Sequence, residues 1–376
     1  MRVSSNTLFD SNVSALNQQQ TRLLQTQQQI ATGRRILAAS DDPVAAARAL
    51  DISQADATNT QYASNRGAAR HTLSLAEGTL QSVTSLIQDA KIATISAGNG
   101  ALSNSDRQTI ATELSGRLQE LMGLANSTDG TGNYLFSGFQ SRTQPFVDTP
   151  AGAGYFGDDG QRLIQVGATR QMASSNSGAD VFMRIKEGNG TFVTQAAIAN
   201  TGNGVASLGN VINPVLLTGH NYQIDFTVAA GVTTYSVTDN STLPAPTVLS
   251  AGNPYVSGQA ISFDGLQFDI QGAPADGDRF TVSPSANESI FKTISDLIAT
   301  LNTPLASGAG TAQLTGSLNR GLKHLDNALD NVLTVRSSLG LRLNEIDALQ
   351  VAGEDLGLQY KQTLSQLQDV DYNKAL

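Results

Sequence analysis

The stretch FDSNVSALNQQQTRLLQTQQQIATGRRIL, from Phe9 to Leu37, sets an apolar side chain at every seventh position: Phe9, Leu16, Leu23, Ile30 and Leu37. A seven-residue apolar period marks a helix that winds against another helix. The companion seam is weaker, with Val13 followed by Gln20, Gln27 and Arg34, and glutamine crowds the flanks. A helix with so few apolar positions buries too little to stand alone, so it is expected to order only against a partner. Gly33 suits a left-handed C-terminal cap and is expected to end it.

The other end of the chain repeats the pattern. Leu318, Leu325, Val332, Leu339, Ile346, Gly353, Tyr360 and Leu367 recur every seven residues, and Leu322, Leu329, Leu349 and Leu356 supply the second seam. Working inward, Asp42-Pro43 reads as an N-cap followed by proline at the first helical position, where its missing N–H costs nothing. The helix it opens runs to Gly98-Asn99-Gly100, a rod of roughly 80 Å at 1.5 Å per residue. A third helix begins near Ser105, carries Ile110, Leu114, Leu118, Leu121 and Ala125 on one face, and is expected to end at Gly130 and Gly132.

From Tyr134 to Ser285 the pattern changes to alternation broken by Gly, Pro, Asn and Asp, the signature of strands and tight turns. The clearest strands are Arg162–Val166, Tyr222–Val228, Thr233–Thr238, Ala260–Gly265, Leu266–Gln271 and Arg279–Pro284. This region holds eleven acidic and six basic residues, which favours a domain facing water. Helix returns after Asn287, read as an N-cap, with Ile290, Ile294, Leu297, Ile298 and Leu301 inward. The segment SGAGTAQLTG (Ser307–Gly316) reads as a helix–helix connection, since no Gly-Lys-Ser/Thr follows its glycines.

The fold class that follows is α+β: long antiparallel helices forming a terminal coiled coil and a helical bundle, with an inserted β-rich outer domain. The expected divisions are residues 1–42 paired with 340–376 as the coiled coil, 43–140 with 285–339 as the bundle, and 141–284 as the outer domain. Ile87, Leu114, Leu121, Leu297 and Leu325 are expected in the bundle core. Tyr134, Leu135 and Phe136 are expected to anchor a hairpin core where helices give way to strands.

Composition narrows the function. The chain carries a net charge of −9 with no basic stripe, which argues against a nucleic-acid partner. It has no cysteine, so disulfides, thiolate metal sites and cysteine nucleophiles are excluded. No apolar run is long enough to span a membrane, and the first twenty residues lack the apolar core of a signal peptide. Export, if it occurs, is expected to use a route that reads no cleavable leader. His71, His220 and His324 sit in unrelated segments, whereas a zinc site needs about three convergent ligands. Asp158-Asp159 and Asp276-Gly277-Asp278 fit turns better than a calcium loop. The scarcity of aromatics and the absence of Trp argue against a sugar-cleaving cleft. No catalytic residue, metal or cofactor is expected.

Three segments carry a family resemblance. ATGRRILAASDDPVAAA (Ala31–Ala47) resembles a segment of the bacterial flagellin superfamily through Gly33, Arg34, Ile36, Asp41, Asp42 and Pro43. GNYLFSGFQSRTQPF (Gly132–Phe146), with Tyr134, Leu135, Phe136, Ser137 and Gly138, resembles more narrowly the hook–filament junction members. VRSSLGLRLNEIDAL (Val335–Leu349) and DVDYNKA (Asp369–Ala375) resemble the matching C-terminal helix and its acidic continuation. The resemblance implies a structural subunit of the extracellular flagellum, exported unfolded by the flagellar type III apparatus and stacked with the coiled coil innermost. It implies copies of itself in a ring, hook-associated protein 1, flagellin and an export chaperone as partners, with no membrane contact. Under it, Phe9, Leu16, Leu23, Ile30, Leu37, Ile346, Leu349, Leu356, Tyr360 and Leu367 are the candidate assembly interface. Superfamily members continue past the DVDYNKA-like segment, whereas this sequence stops at Leu376; an end cut there would leave Phe9, Leu16 and Leu23 without partners. The alternatives are flagellin itself and, further off, a secreted adhesin on a helical stalk.

Overall fold

The computed structural model describes residues 5–149, 152–305 and 308–372. The outermost ends of the expected coiled coil, 1–4 and 373–376, lie outside the described residues, and with them the last part of DVDYNKA. Among the described residues five α-helices flank a series of strands: α1 (Ser5–Thr32), α2 (Pro43–Ala97), α3 (Asn104–Ala125), α4 (Ile290–Asn302) and α5 (Gly308–Gln368). The chain forms two compact units, one of Met1–Arg70, Ile164–Met172 and Leu343–Leu376, the other of His71–Leu163 and Ala173–Arg342.

Strands β1 (Phe146–Thr149) and β2 (Gly152–Tyr155) form a hairpin, as do β3 (Leu163–Gly167) and β4 (Arg170–Ala173). The outer region follows as β5 (Ile185–Lys186), β6 (Phe192–Ala196), β7 (Val205–Ala206), β8 (Asn210–Val211), β9 (Tyr222–Ala229) and β10 (Val232–Asp239). It continues as β11 (Thr247–Pro254), β12 (Ala260–Phe263), β13 (Leu266–Gln271), β14 (Arg279–Pro284) and β15 (Asn287–Glu288).

In the second unit the helices pack by 3- and 4-residue spacing. Leu73, Leu80, Val83, Ile87 and Ala90 of α2 are buried, as are Leu114 and Leu121 of α3, and Leu318, Leu325, Val332 and Leu339 of α5. α3 lies against α4, whose Phe291, Ile294, Leu297 and Leu301 face inward. Each fully buried side chain of this size contributes about 1.5–3 kcal/mol. Gly321 lets α5 approach α4 closely: a Cβ there would sit 2.4 Å from Leu297 Cδ2.

The outer strands form a five-stranded antiparallel sheet in the order β11-β10-β9-β14-β6 and a second sheet, β12-β13-β7, with β8 also on β13. Both contribute to one core, in which Phe192, Tyr222, Ile224, Phe226, Phe268, Ile270 and Phe280 are buried. The inward positions alternate along β9 and β13, as period-2 patterning requires. Asp264 and Gly265 both take positive φ in the two-residue β12–β13 turn, the geometry whose twist suits a hairpin.

Several local readings differ from the sequence reading. α3 stops at Ala125 with Asn126 as its C-cap, short of Gly130 and Gly132. The cap of α4 is Ser289, whose Oγ accepts from Lys292 N at 3.1 Å; Asn287 belongs instead to β15, where it pairs with Lys186. Gly308 to Gly316 form the first turns of α5 rather than a connection, because packing of Ala312 and Leu314 outweighs the helix cost of glycine. Beyond the six expected strands lie several short ones and the longer β6 and β11; β11 is largely exposed and its pairing with β10 is bulged, so it lacks a clean alternation.

Candidate assembly interface

The sequence around Gly33 builds the junction between the two terminal helices. Gly33 has φ +70°, the left-handed conformation that stops α1 and turns the chain. The turn sets Gly33–Arg35 beside the end of α5: Arg35 N donates to Gln368 O at 2.6 Å, and Val370 N donates to Gly33 O at 3.0 Å. Arg35 Nη2 reaches Leu367 O at 2.8 Å, where a cation also suits the free carbonyls of a helix C-terminus. Its Nη1 lies 3.3 Å from Asp42 Oδ2. Asp42 also accepts from Ala45 N through Oδ1 at 3.0 Å, capping α2. The Ala45 backbone bond, aided by Arg35, holds the Asp42 carboxyl below its ordinary range against some desolvation. Asp41 Oδ2 accepts from Leu37 N and Ala38 N at 3.0 and 2.9 Å, folding the loop that leads into Pro43. Arg34 and Leu37 are exposed, and Ile36 is half-buried.

Upstream of this junction, α1 offers its apolar residues to solvent. Phe9 is 68%, Leu16 60% and Leu23 59% exposed, and Leu8, Val13 and Leu24 are exposed beside them. Ile30, nearest the junction, is half-buried. On α5, Leu349, Tyr360 and Leu367 are half-buried and Leu356 is exposed. Ile346 departs from the expected set: it is fully buried within the chain, so its apolar surface is already covered and offers nothing to a neighbour.

Below the junction, the first unit is fastened by residues that sequence reasoning passed over. Arg66 of α2 is only 3% exposed; its Nε donates to Gln350 Oε1 at 2.9 Å and its Nη1 to Val166 O at 3.0 Å. Burial lowers its pKa, countered by Glu354. Gly353 makes room for it, since a Cβ there would fall 2.4 Å from Arg66 Nη2. Asn59 Nδ2 donates to Gly353 O at 2.7 Å, Asn65 Nδ2 donates to Gln165 O at 2.7 Å, and Arg170 grips Glu345 through two nitrogens. The glycine standing in the heptad seam at 353 was the available signal. A buried Arg in the middle of α2 had none.

The YLFSG segment forms turns rather than a hairpin. Leu135 and Phe136 are buried, and Phe136 meets Phe182 edge-on at 5.4 Å, within a cluster that includes Phe146 and Phe291. Gly138 has φ +71°, and a Cβ there would strike Asp158 Oδ1 at 2.1 Å. That carboxylate gathers three backbone amides: Phe139 N at 2.9 Å and Gly160 N at 2.7 Å on Oδ1, and Gln140 N at 3.1 Å on Oδ2. These amides, Phe139 first, hold Asp158 below its ordinary range. Ser137 is buried, and its Oγ donates to Tyr134 O at 3.3 Å. Asn126 fixes the neighbouring strand by donating to Phe146 O and accepting from Phe146 N. Tyr134 is half-buried, and its N donates to Ser141 O at 2.7 Å.

The candidate ligand residues lie apart or serve the backbone. His71 is exposed, His220 pairs with Asp239 at 2.7 Å, and His324 lies 3.4 Å from Glu288. Asp278 accepts from Thr201 N, Gly202 N and Ala275 N, and Asp276 accepts from Val228 N. Among the described residues no group of three His, Cys, Asp or Glu could hold a metal, and no helix is long and apolar enough to cross a membrane.

Residues 3–141 match the bacterial flagellin N-terminal helical region, and residues 197–284 match the D2-like domain of flagellar hook-associated protein 1. An N-terminal helical region of flagellin type, followed by a β domain, thus defines the class as the bacterial flagellin superfamily. Flagellar hook-associated protein 3 of Salmonella typhimurium is 30% identical over 380 residues, spanning 100% of this chain and 90% of that protein. The protein of the same name from Escherichia coli is also 30% identical, over 381 residues and the same shares. The crystal structure of hook-associated protein 3 from Legionella pneumophila superposes with a TM-score of 0.79 at 34% identity, covering 84% of this chain and 98% of that one. Xanthomonas campestris FlgL superposes with a TM-score of 0.77 at 30% identity, covering 84% and 99%. This chain belongs to the flagellar hook-associated protein 3 family.

Proposed function

We propose that this chain is a structural, non-catalytic subunit of the bacterial flagellum, a junction adaptor between hook-associated protein 1 and the flagellin filament. The observation that carries the mechanism is the exposed apolar stripe of α1, Phe9, Leu16 and Leu23, on a helix otherwise rich in glutamine. Such a stripe gains stability when covered, so terminal pairing is completed in the assembly, with copies of the chain forming a ring. On α5, Leu349, Leu356, Tyr360 and Leu367 are the residues proposed to join it. The flagellin-like N-terminal region suits stacking against flagellin, and the D2-like outer domain resembles hook-associated protein 1 itself. Both similarities support the two proposed neighbours. Export occurs unfolded, with a chaperone covering the terminal stripe until release, and without cleavage of a leader.

The combined substitution Leu16→Asp with Leu23→Asp tests this reading. The outer domain should stay folded, while cells show bare hooks and release flagellin into the medium, seen by electron microscopy and gel analysis. Normal filaments built on the variant would refute the mechanism. Bare hooks with no major exported subunit in cells lacking the gene would identify the chain as flagellin instead.

A further inference from the structure

The chain enters the outer β region at β5 and leaves it at β15, and these two-residue strands pair side by side, Lys186 with Asn287 and Ile185 with Glu288. This ribbon is the root of the outer region. It is fastened to α5 by Asn327, whose Nδ2 donates to Lys186 O at 2.7 Å and Gly188 O at 3.0 Å. Beside it lies a cavity of about 320 Å³ lined by Glu187, Glu288, Lys292, Asp296, Arg320 and His324.

The two glutamates in this cavity are unequally served. Glu288 is nearly buried and has three partners: Thr293 Oγ1 donates to it at 3.0 Å, His324 Nδ1 lies at 3.4 Å and Lys292 Nζ at 3.6 Å. His324 Nε2 is buried with no hydrogen-bond partner, so the ring's useful polar contact is the one toward Glu288. Lys292 also pairs with Asp296. Glu187 is half-buried and lines the same cavity with its carboxyl in hydrogen-bonding reach of that of Glu288; among the described residues it takes no hydroxyl or cation contact like those of Glu288, and its neighbour Lys186 is exposed. Arg320 of α5 donates to Ser317 Oγ and makes no ion pair within 4 Å among the described residues. A carboxylate that is partly desolvated, faces another carboxylate and lacks a donor is the group that takes up a proton first.

We propose that Glu187 is the proton-accepting element of a pH-responsive latch at the root of the outer domain, tightening the β5–β15 ribbon against α4 and α5 as the surroundings acidify. Neutral Glu187 no longer repels Glu288, which keeps its charge through His324, Lys292 and Thr293. The directions agree with the geometry. Burial, then the charge and hydrogen bond of Glu288, raises the Glu187 carboxyl above its ordinary value of 4.5, against a weaker pull from His324 and Lys292. Burial opposes ionisation of Glu288, but the His324 hydrogen bond and then Lys292 hold it well below its ordinary range. A raised carboxyl contributes stability that is fully present below its unfolded-state pKa and lost as pH rises through its folded-state pKa. The tightening therefore appears on descent from neutral pH toward 4.5. Loosening through Glu288 begins only in stronger acid.

Hydrogen exchange of the full chain, followed on backbone amides 185–191 and 284–289 and corrected for intrinsic rates, tests the latch. Protection in the parent chain should rise as pH falls from about 8 to about 5, by no more than about tenfold per pH unit, the limit for one proton. Glu187→Gln should show the acid-level protection at every pH in that range, with an unchanged unfolding temperature at the acid end. His324→Gln should retain a pH response. Parent-like pH dependence in Glu187→Gln overturns the proposal. Loss of the response in His324→Gln with its survival in Glu187→Gln assigns the proton to the histidine and likewise overturns it.

Discussion

Helices α1 and α4 are both amphipathic, yet they treat their apolar faces in opposite ways. α4 spans 13 residues and buries Phe291, Ile294, Leu297 and Leu301. α1 spans 28 residues and leaves Phe9, Leu16 and Leu23 more than half exposed. The shorter helix has its complement on α3 and α5; the longer one leaves its upstream stripe uncovered and turns at Gly33 toward the end of α5. An apolar periodicity thus establishes that a face will be covered, but not whether the cover belongs to the same chain.

Mutation can break this contrast. Phe291→Ala should destabilise the isolated chain by about 3–5 kcal/mol in urea unfolding, because it empties the cluster with Phe146 and Phe182. Leu16→Asp should shift that same transition by less than about 0.5 kcal/mol, because its side chain is exposed in the chain alone. Equal losses from the two would mean that α1 is already packed in the monomer. Gly353→Ala should come next, at about 1–3 kcal/mol, since the new methyl must displace the Arg66 guanidinium. Below that, Ser289→Ala should cost about 1 kcal/mol through loss of the α4 cap, with Asn287→Ala nearly silent. The reverse order for those two would restore Asn287 as the cap.

The order of helices and the outer strand region were legible because long helices and alternating strands repeat one signal many times. α2 begins at Pro43 and β13 spans Leu266–Gln271, as their patterns indicate. Boundaries resting on one or two residues were less legible. Asn287 and Ser289 are both acceptable caps, and only the β5–β15 pairing decides between them. At the candidate interface, the exposed stripe followed from its polar setting, while burial of Ile346 depended on tertiary packing that the heptad cannot encode. Arg35 was overlooked beside Arg34 because adjacent arginines look alike in sequence. In the structure Arg34 meets the end of α5 through a backbone bridge to Asp369, while the Arg35 side chain joins that end to the cap of α2.

The pairing of β5 with β15 also has an evolutionary meaning. Paired residues in an antiparallel ladder stand about 4.5–5.5 Å apart at Cα. To the helices, everything between Lys186 and Asn287 is therefore one closed loop whose ends already touch. A sequence inserted there could be lengthened, shortened or exchanged for another with adjacent termini while the surrounding helical register stayed intact. The loop-closure cost grows only with the logarithm of its length. This gives the chain a graft point, at which the outward-facing part can diversify separately from the helices that carry it.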